Sequence, residues 1–493
     1  MLTTTAQDIA HITGGELVDG ATGTETVTGR AVVDSRLVGA GDLFAAFAGE
    51  HVDGHAYTRT AAEAGAALCL VSRETGVPAV RVDDVREALS ALAHAQLDRA
   101  RREKPELAVV AVTGSAGKTG TKDLLGRLLS RLGPTVAPRG SFNNELGLPL
   151  TVLSLEESTR ALVLEMGARG VGHIAHLTGI ARPDISLVLN VGTAHIGEFG
   201  DVDTIARAKG EIIEALAADG RAVLNADDHR VAAMATRSIA PVTTWGQGPG
   251  ADVRARDIRL DDTARAAFLL EVGEGLVRRD GTPVPSGSVS VQLRLLGEHQ
   301  VDNALAAATA ALLAGVELTD VADVLSTAEA DSGQRMQAHD LPDGTTVIND
   351  AYNANPDSMR LALRTLAHLG RGRRTIAVLG EMLELGEDTI TLHDAVGRLA
   401  VRLNISLLVV VGPGARPIHQ GASLEGSFGD ESVYVETRDE ALAVLERSVR
   451  PGDVVLLKSS RDAGLRELSD RLVERLSADR TTSPEREAGG APA

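Results

Sequence analysis

One cysteine, Cys69, stands in 493 residues. With a single thiol no disulfide framework can form within the chain, which fits a reducing compartment. Lysine is also scarce: only Lys104, Lys118, Lys122, Lys209 and Lys458 among 49 basic residues, the rest being arginine. Arginine replaces lysine poorly where a compact ammonium or a primary amine is needed, so the lysines that persist are candidates for such work. Lys104, in the charged run Arg101–Pro105, is an ordinary surface residue by this reading. No stretch reaches ~18 uninterrupted apolar residues, so no membrane-spanning helix is expected. Residues 1–15 lack the basic and apolar segments of an export signal, and the expected location is the cytoplasm. Positive charge is in deficit overall, 49 Lys plus Arg against 68 Asp plus Glu, a net −19. Such a chain repels nucleic acid and anionic membranes, so any phosphate ligand must be held by a local device.

What is present is an ordinary globular composition, 43% apolar and 24% charged. At roughly 150 residues per domain about three domains are expected. Residues 1–84 form a first unit of short apolar runs, and 85–105 a linker helix stopped by Pro105. A second unit, 106–329, alternates buried strands (107–112, 161–164, 185–189, 222–224) with helical segments, which argues for a mostly parallel sheet. Residues 251–296 break that rhythm and read as an antiparallel extension before an Ala-rich helix at 299–314. A third unit, 330–478, repeats the α/β pattern with strands at 346–348, 375–379, 407–411 and 454–457. Residues 479–493 read as a disordered tail. The fold class is therefore α/β, in three domains, with a central parallel-sheet domain.

The strongest chemical signal is Thr113-Gly114-Ser115-Ala116-Gly117-Lys118-Thr119, between an apolar strand and a helix carrying Leu124, Leu125, Leu128, Leu129 and Leu132 on one face. A Gly-rich turn lets backbone N–H groups approach phosphate, and the helix N-terminus adds partial positive charge. Lys118 can reach the β/γ-phosphates and the Thr119 hydroxyl a Mg²⁺ ion. The longer phosphate-loop pattern has Gly where Val112 stands, so this is a shortened version. Glu165, Asn190, Asp350 and Lys458 follow or end further strands, where open α/β sheets bind ligands. Glu165 and His195 together suit a hard divalent cation, Mg²⁺ or Mn²⁺. A nucleotide-dependent switch would need the loop but not Glu165, His195 and Lys209 together.

Several segments resemble the Mur ligases, the ATP-dependent amide ligases of peptidoglycan synthesis. They are the phosphate loop, Leu164-Glu165-Met166-Gly167, Asn190-Val191-Gly192-x-Ala194-His195, Ala208-Lys209-x-Glu211 and Gly297-x-His299-x-x-x-Asn303. Asp34-Ser35-Arg36 and Gly41-Asp42-Leu43-Phe44 resemble the UDP-binding domain of the later ligases. Ser141-Phe142-Asn143-Asn144-Glu145 and Tyr352-Asn353-Ala354-Asn355-Pro356 are similar to the branch that adds a dipeptide. The resemblance spans about residues 30–465.

It implies a small N-terminal UDP-binding domain, a central P-loop ATPase domain and a Rossmann-like C-terminal domain. It implies a monomeric enzyme with ATP and Mg²⁺, Mn²⁺ being able to substitute. Its substrates would be UDP-N-acetylmuramoyl-tripeptide and D-alanyl-D-alanine, without nucleic acid or membrane insertion. The implied catalytic residues are Lys118, Glu165, His195 and Lys209. Thr119, Glu165, His195 and a carbamylated Lys209 are the implied metal ligands. Gly114, Ser115, Ala116, Gly117, Lys118, Thr119, Gly120, His299, Asn303, Arg335 and Asp350 would bind ATP. Ser35, Arg36, Asn143, Asn144, Asn353, Asn355 and Lys458 would contact substrate. One ATP must then be reached from two domains, with a pivot around Asp331-Ser332-Gly333. Two positions depart from the family pattern: Gly120, beyond the phosphate cradle, and Ser459, where Lys-Gly-Ser-Arg is usual and glycine would permit φ > 0.

Overall fold

The computed structural model describes residues 1–49, 52–193, 196–426 and 431–481. Three larger sheets, with a two-stranded antiparallel ribbon of Thr4–Thr5 and Thr26–Val27 beside the first, carry the described residues. The first has five short strands in the order 16–18, 79–81, 68–71, 43–45, 31–32, parallel except for the 16–18 edge. Helix α1 (Val85–Glu103) leaves it toward the second sheet, with the Asp84 side chain capping its first turn.

The second sheet is built on β1 (Ala108–Thr113), in which all six residues are buried. Its two faces explain the unbroken apolar run. Val109 and Ala111 pack with Leu89, Leu92 and Leu148 on one side. Val110 and Val112 pack on the other with Leu124, Leu125, Leu128 and Leu129 of helix α2 (Lys118–Leu129). Strands β2 (Thr135–Val136), β3 (Ala161–Glu165) and β4 (Ile185–Val188) follow. Helix α3 (Val202–Glu214) leads on to β5 (Arg221–Asn225) and β6 (Val242–Gly246). The sheet is extended by β7 (Val253–Leu260), β8 (Arg265–Val272) and β9 (Gly287–Leu296). Its order is β9-β8-β7-β6-β5-β4-β1-β3-β2, antiparallel only at β7-β8-β9. The expected antiparallel extension is thus present, followed by helix α4 (Gln300–Ala314), whose alanines from Ala304 to Ala311 lie buried against the sheet.

The third sheet contains β10 (Gln337–Asp340), β11 (Thr346–Asn349), β12 (Thr375–Leu379), β13 (Leu407–Val411), β14 (Ser432–Val435) and β15 (Val454–Lys458). The order is β10-β11-β15-β12-β13-β14, parallel apart from β10. Helix α5 (Pro356–Leu369) follows β11, and α6 (Leu465–Thr481) closes the described chain. The helix therefore continues three residues into the stretch expected to be a tail, while 482–493 lie outside the described residues.

The expected pivot is tied down. Arg127 grips Asp331 with two hydrogen bonds of 2.6 and 2.7 Å, and the Ser332 amide donates to Asp123. Ser459 causes no strain, because its backbone is not left-handed. Room for its side chain comes from the neighbouring strand, where a Cβ on Gly380 would stand 2.7 Å from the Ser459 Cβ.

Candidate active site

Strand β1 delivers the phosphate loop and α2 begins at Lys118. Gly117 between them has φ +84°, and a Cβ there would come within 2.4 Å of Asn303 Oδ1 on α4. The positive φ favours glycine, and a Cβ would in addition displace the Asn303 side chain. The Lys118 ammonium donates to the Gly114 carbonyl at 2.7 Å. Burial lowers its pKa, with Glu165 opposing. The Ser115 and Ala116 amides are already used, donating to Asn190 O and Oδ1 at 3.1 and 2.9 Å. No side chain caps the start of α2, so that helix end remains open to an anion.

Glu165 ends β3, 3% exposed. One of its oxygens accepts from the Thr119 hydroxyl at 2.9 Å. The other accepts from Ser141 Oγ at 2.5 Å and Asn143 Nδ2 at 2.8 Å. A hydroxyl and a held carboxylate beside a phosphate cradle suit a hard cation. Among the described residues no three His, Cys, Asp or Glu gather at one point. His195 lies outside the described residues.

Lys209 is buried on the inner face of α3, 3% exposed. The ordinary alternative, a surface lysine paired with Glu211 or Glu214, does not hold. Glu211 accepts from the Gly172 and Ala175 amides, and Glu214 pairs with Arg237. Burial, assisted by the Lys118 charge, pushes the Lys209 amine well below its ordinary range.

Facing the loop across the cleft, Lys458 at the end of β15 donates to Asp350 at 2.7 Å and to the Asn353 carbonyl at 2.9 Å. The Arg335 guanidinium lies 4.1 Å from the Tyr352 ring centroid. One cavity of about 1240 Å³ joins the two sides, lined by residues 115–120, Asn143, Asn144, Glu165 and Lys209 from one domain. His299 and Asn303 line it too, as do Arg335, Asp350, Asn353, Asn355 and Lys458 from the other side. Gly114 is not on that wall, and neither are Ser35 and Arg36. The latter two sit on a short turn of the first domain, where Arg36 pairs with Asp34 at 2.6 Å. Three of the asparagines named as substrate contacts also have folding work. Asn355 caps α5, Asn144 accepts from the Gly147 amide, and Asn143 holds Glu165. Ser141 was absent from the expected site residues, although it lies two positions before Asn143 in a segment already singled out.

Two titratable groups on or beside α4 predict a measurable pH effect. Burial holds the His299 imidazole at about 4, below its ordinary 6.5, with Asp350 opposing. Burial also pushes Asp302 up to about 6 from 3.8. Between pH 6.5 and 4 the unfolded His299 is protonated and the folded one is not, so acidification through that window favours unfolding. Asp302 acts oppositely: between 3.8 and 6 the folded carboxyl keeps a proton, and its contribution is lost as pH rises. His299→Gln removes only the first effect. The unfolding midpoint of the variant minus that of the parent should be more positive at about pH 4.5 than at about pH 7.5. Equal differences at both would refute the assignment.

A phosphate loop facing a second α/β domain across one cleft, with a carboxylate and a buried lysine beside it, is the layout of a nucleotide-using α/β protein with room for a second ligand. Family models agree segment by segment. Residues 31–97 match "Mur ligase family, catalytic domain", 112–311 "Mur ligase middle domain", and 334–461 "Mur ligase, glutamate ligase domain". A UDP-N-acetylmuramoyl-tripeptide–D-alanyl-D-alanine ligase of Mycobacterium bovis is 44% identical, over 96% of this chain and 98% of the relative. A crystal structure of MurF from Acinetobacter baumannii superposes with TM-score 0.82 at 32% identity, covering 96% of this chain and 99% of that one. MurF ligase from Thermotoga maritima in complex with ADP gives TM-score 0.75 at 28% identity, covering 92% and 99%. The chain belongs to the Mur ligase family.

Proposed function

We propose that this chain is the ATP-dependent ligase that joins D-alanyl-D-alanine to UDP-N-acetylmuramoyl-tripeptide in peptidoglycan precursor synthesis. The observation that carries the reading is the single cleft in which the phosphate loop meets the Tyr352–Pro356 segment, in a chain 44% identical to a ligase named for that reaction. The peptide's terminal carboxylate attacks the γ-phosphorus of ATP, giving an acyl phosphate and ADP. The dipeptide amine then attacks the acyl carbon, phosphate leaves with the bonding electrons, and the amine loses a proton.

Lys118 and the open start of α2 stabilise charge on the transferring phosphoryl group. Thr119, Glu165, His195 and Lys209 would hold Mg²⁺, which supplies charge neutralisation at the phosphates. Lys209 does so as a carbamate, a reading supported by its burial and by the engagement of Glu211 and Glu214 elsewhere. His299, Asn303, Arg335 and Asp350 contact ATP. Ser35 and Arg36 hold the UDP part. Asn143, Asn144, Asn353, Asn355 and Lys458 position the peptide and dipeptide, with Asn144, Asn353 and Asn355 acting through their side-chain amide hydrogens. The enzyme works as a monomer in the cytoplasm. Among the described residues no helix is long and apolar enough to cross a membrane.

The test is ADP release across a small panel of amines. D-alanyl-D-alanine should support turnover far better than D-alanine, D-glutamate or L-lysine. A clear preference for a single amino acid rejects the dipeptide reading.

A further inference from the structure

Of the four lysines that persist inside this arginine-rich chain, Lys122 has no part in the chemistry above. It lies one helical turn after Lys118 on α2 and is 1% exposed. A buried ammonium is costly unless oxygens surround it. Lys122 has three: it donates to the Pro138 carbonyl, to the Gly140 carbonyl at 3.0 Å, and pairs with Asp123 at 2.8 Å. A compact ammonium gathers three oxygens around one atom, whereas arginine spreads its donors over a wider planar fork and does not reproduce that geometry.

The two carbonyls belong to the segment that continues directly into Ser141 and Asn143, the donors to Glu165. The same cluster reaches the interdomain linker. Asp123 accepts from the Ser332 amide, Ser332 Oγ accepts from the Gly140 amide at 3.4 Å, and Arg127 on α2 grips Asp331. We propose that Lys122 is a positioning residue: it sets segment 138–143 so that Ser141 and Asn143 aim the Glu165 carboxylate at the cation, and it ties that aim to the linker at Asp331-Ser332. The proposal rests on Glu165 being a metal ligand, so its test must separate the two ideas.

The test counts free Mn²⁺ by electron paramagnetic resonance in the presence of the full-length protein and ADP. The variants are Glu165→Gln, Lys122→Met, Ser141→Ala and the double variant Lys122→Met/Ser141→Ala. Glu165→Gln should lose the protein's contribution to Mn²⁺ affinity; unchanged affinity there overturns the metal reading itself. With that contribution lost in Glu165→Gln, Lys122→Met should weaken Mn²⁺ about tenfold or more, the scale of groups that orient a ligand. ADP affinity in EDTA should change less than about twofold, because the phosphate loop is intact. The losses in Lys122→Met and Ser141→Ala should not add, since both act through the same segment. Unchanged Mn²⁺ affinity in Lys122→Met, or additive losses, overturns the proposal. A wild-type measurement covers the case in which Lys122→Met does not fold. Amide exchange in residues 138–143 and 331–333 should slow together when Mg²⁺ joins ADP, and not with ADP in EDTA. Absence of that joint protection also overturns it.

Discussion

Lys118→Ala should lower kcat by about 10³-fold or more while leaving the thermal midpoint within a few degrees. The Lys118 ammonium donates to the Gly114 carbonyl at 2.7 Å, within the glycine-rich loop. A neutral carbonyl is a weak partner for a charge that burial disfavours, as the lowered pKa records. Phosphate oxygens offer a better one, and the gain is largest where negative charge develops during transfer. Truncation therefore removes transition-state stabilisation more than folding energy. A well-folded Lys118→Ala enzyme that kept most of its activity would refute the phosphoryl-transfer assignment. Fluorescent-nucleotide binding separates lost affinity from lost turnover.

Lys209→Arg should be nearly inactive, about 10²-fold or more below the parent, although it preserves positive charge. The side chain is buried beside Lys118, and the acidic neighbours on its own helix are engaged with other partners. A cation held there would repel a metal ion, whereas a neutral primary amine can add CO₂ and become a carboxylate-like ligand. The lowered pKa of the amine favours the neutral form that this addition needs. Arginine cannot undergo it. Lys209→Ala should be similarly impaired but should regain activity when acetate or formate is added, as the small carboxylate fills the missing ligand position. Near-normal activity in Lys209→Arg would show that positive charge suffices, and the carbamate would have to be abandoned.

Much of this was legible in the residues themselves. The run 107–112 had to be a strand buried on both faces, because no polar residue interrupts it, and the Gly-rich turn and leucine stripe after it fixed a phosphate loop on a helix start. Glu165 and Asp350 sat at strand ends, where the backbone itself puts side chains into a crevice. The scarcity of lysine marked Lys118, Lys122, Lys209 and Lys458, and all four prove to have an enclosed amine or defined oxygen partners. Tertiary structure alone decided what those side chains do. Whether Lys209 met Glu211 depended on the amides of Gly172 and Ala175 reaching that carboxylate first, a contact 36 residues or more away in sequence. Asn144 and Asn355 read as substrate contacts, and only the backbone that follows them shows that Asn144 also accepts from the Gly147 amide and that Asn355 caps α5. Ser141 gave no signal, and Lys122 was marked but without a task, because their partners, Glu165 and two loop carbonyls, are brought close by packing of the sheet against α2. Local sequence sets which conformations and charges are available. Long-range packing then decides which donor meets which acceptor, because a buried polar group must take whichever partner the fold brings within reach.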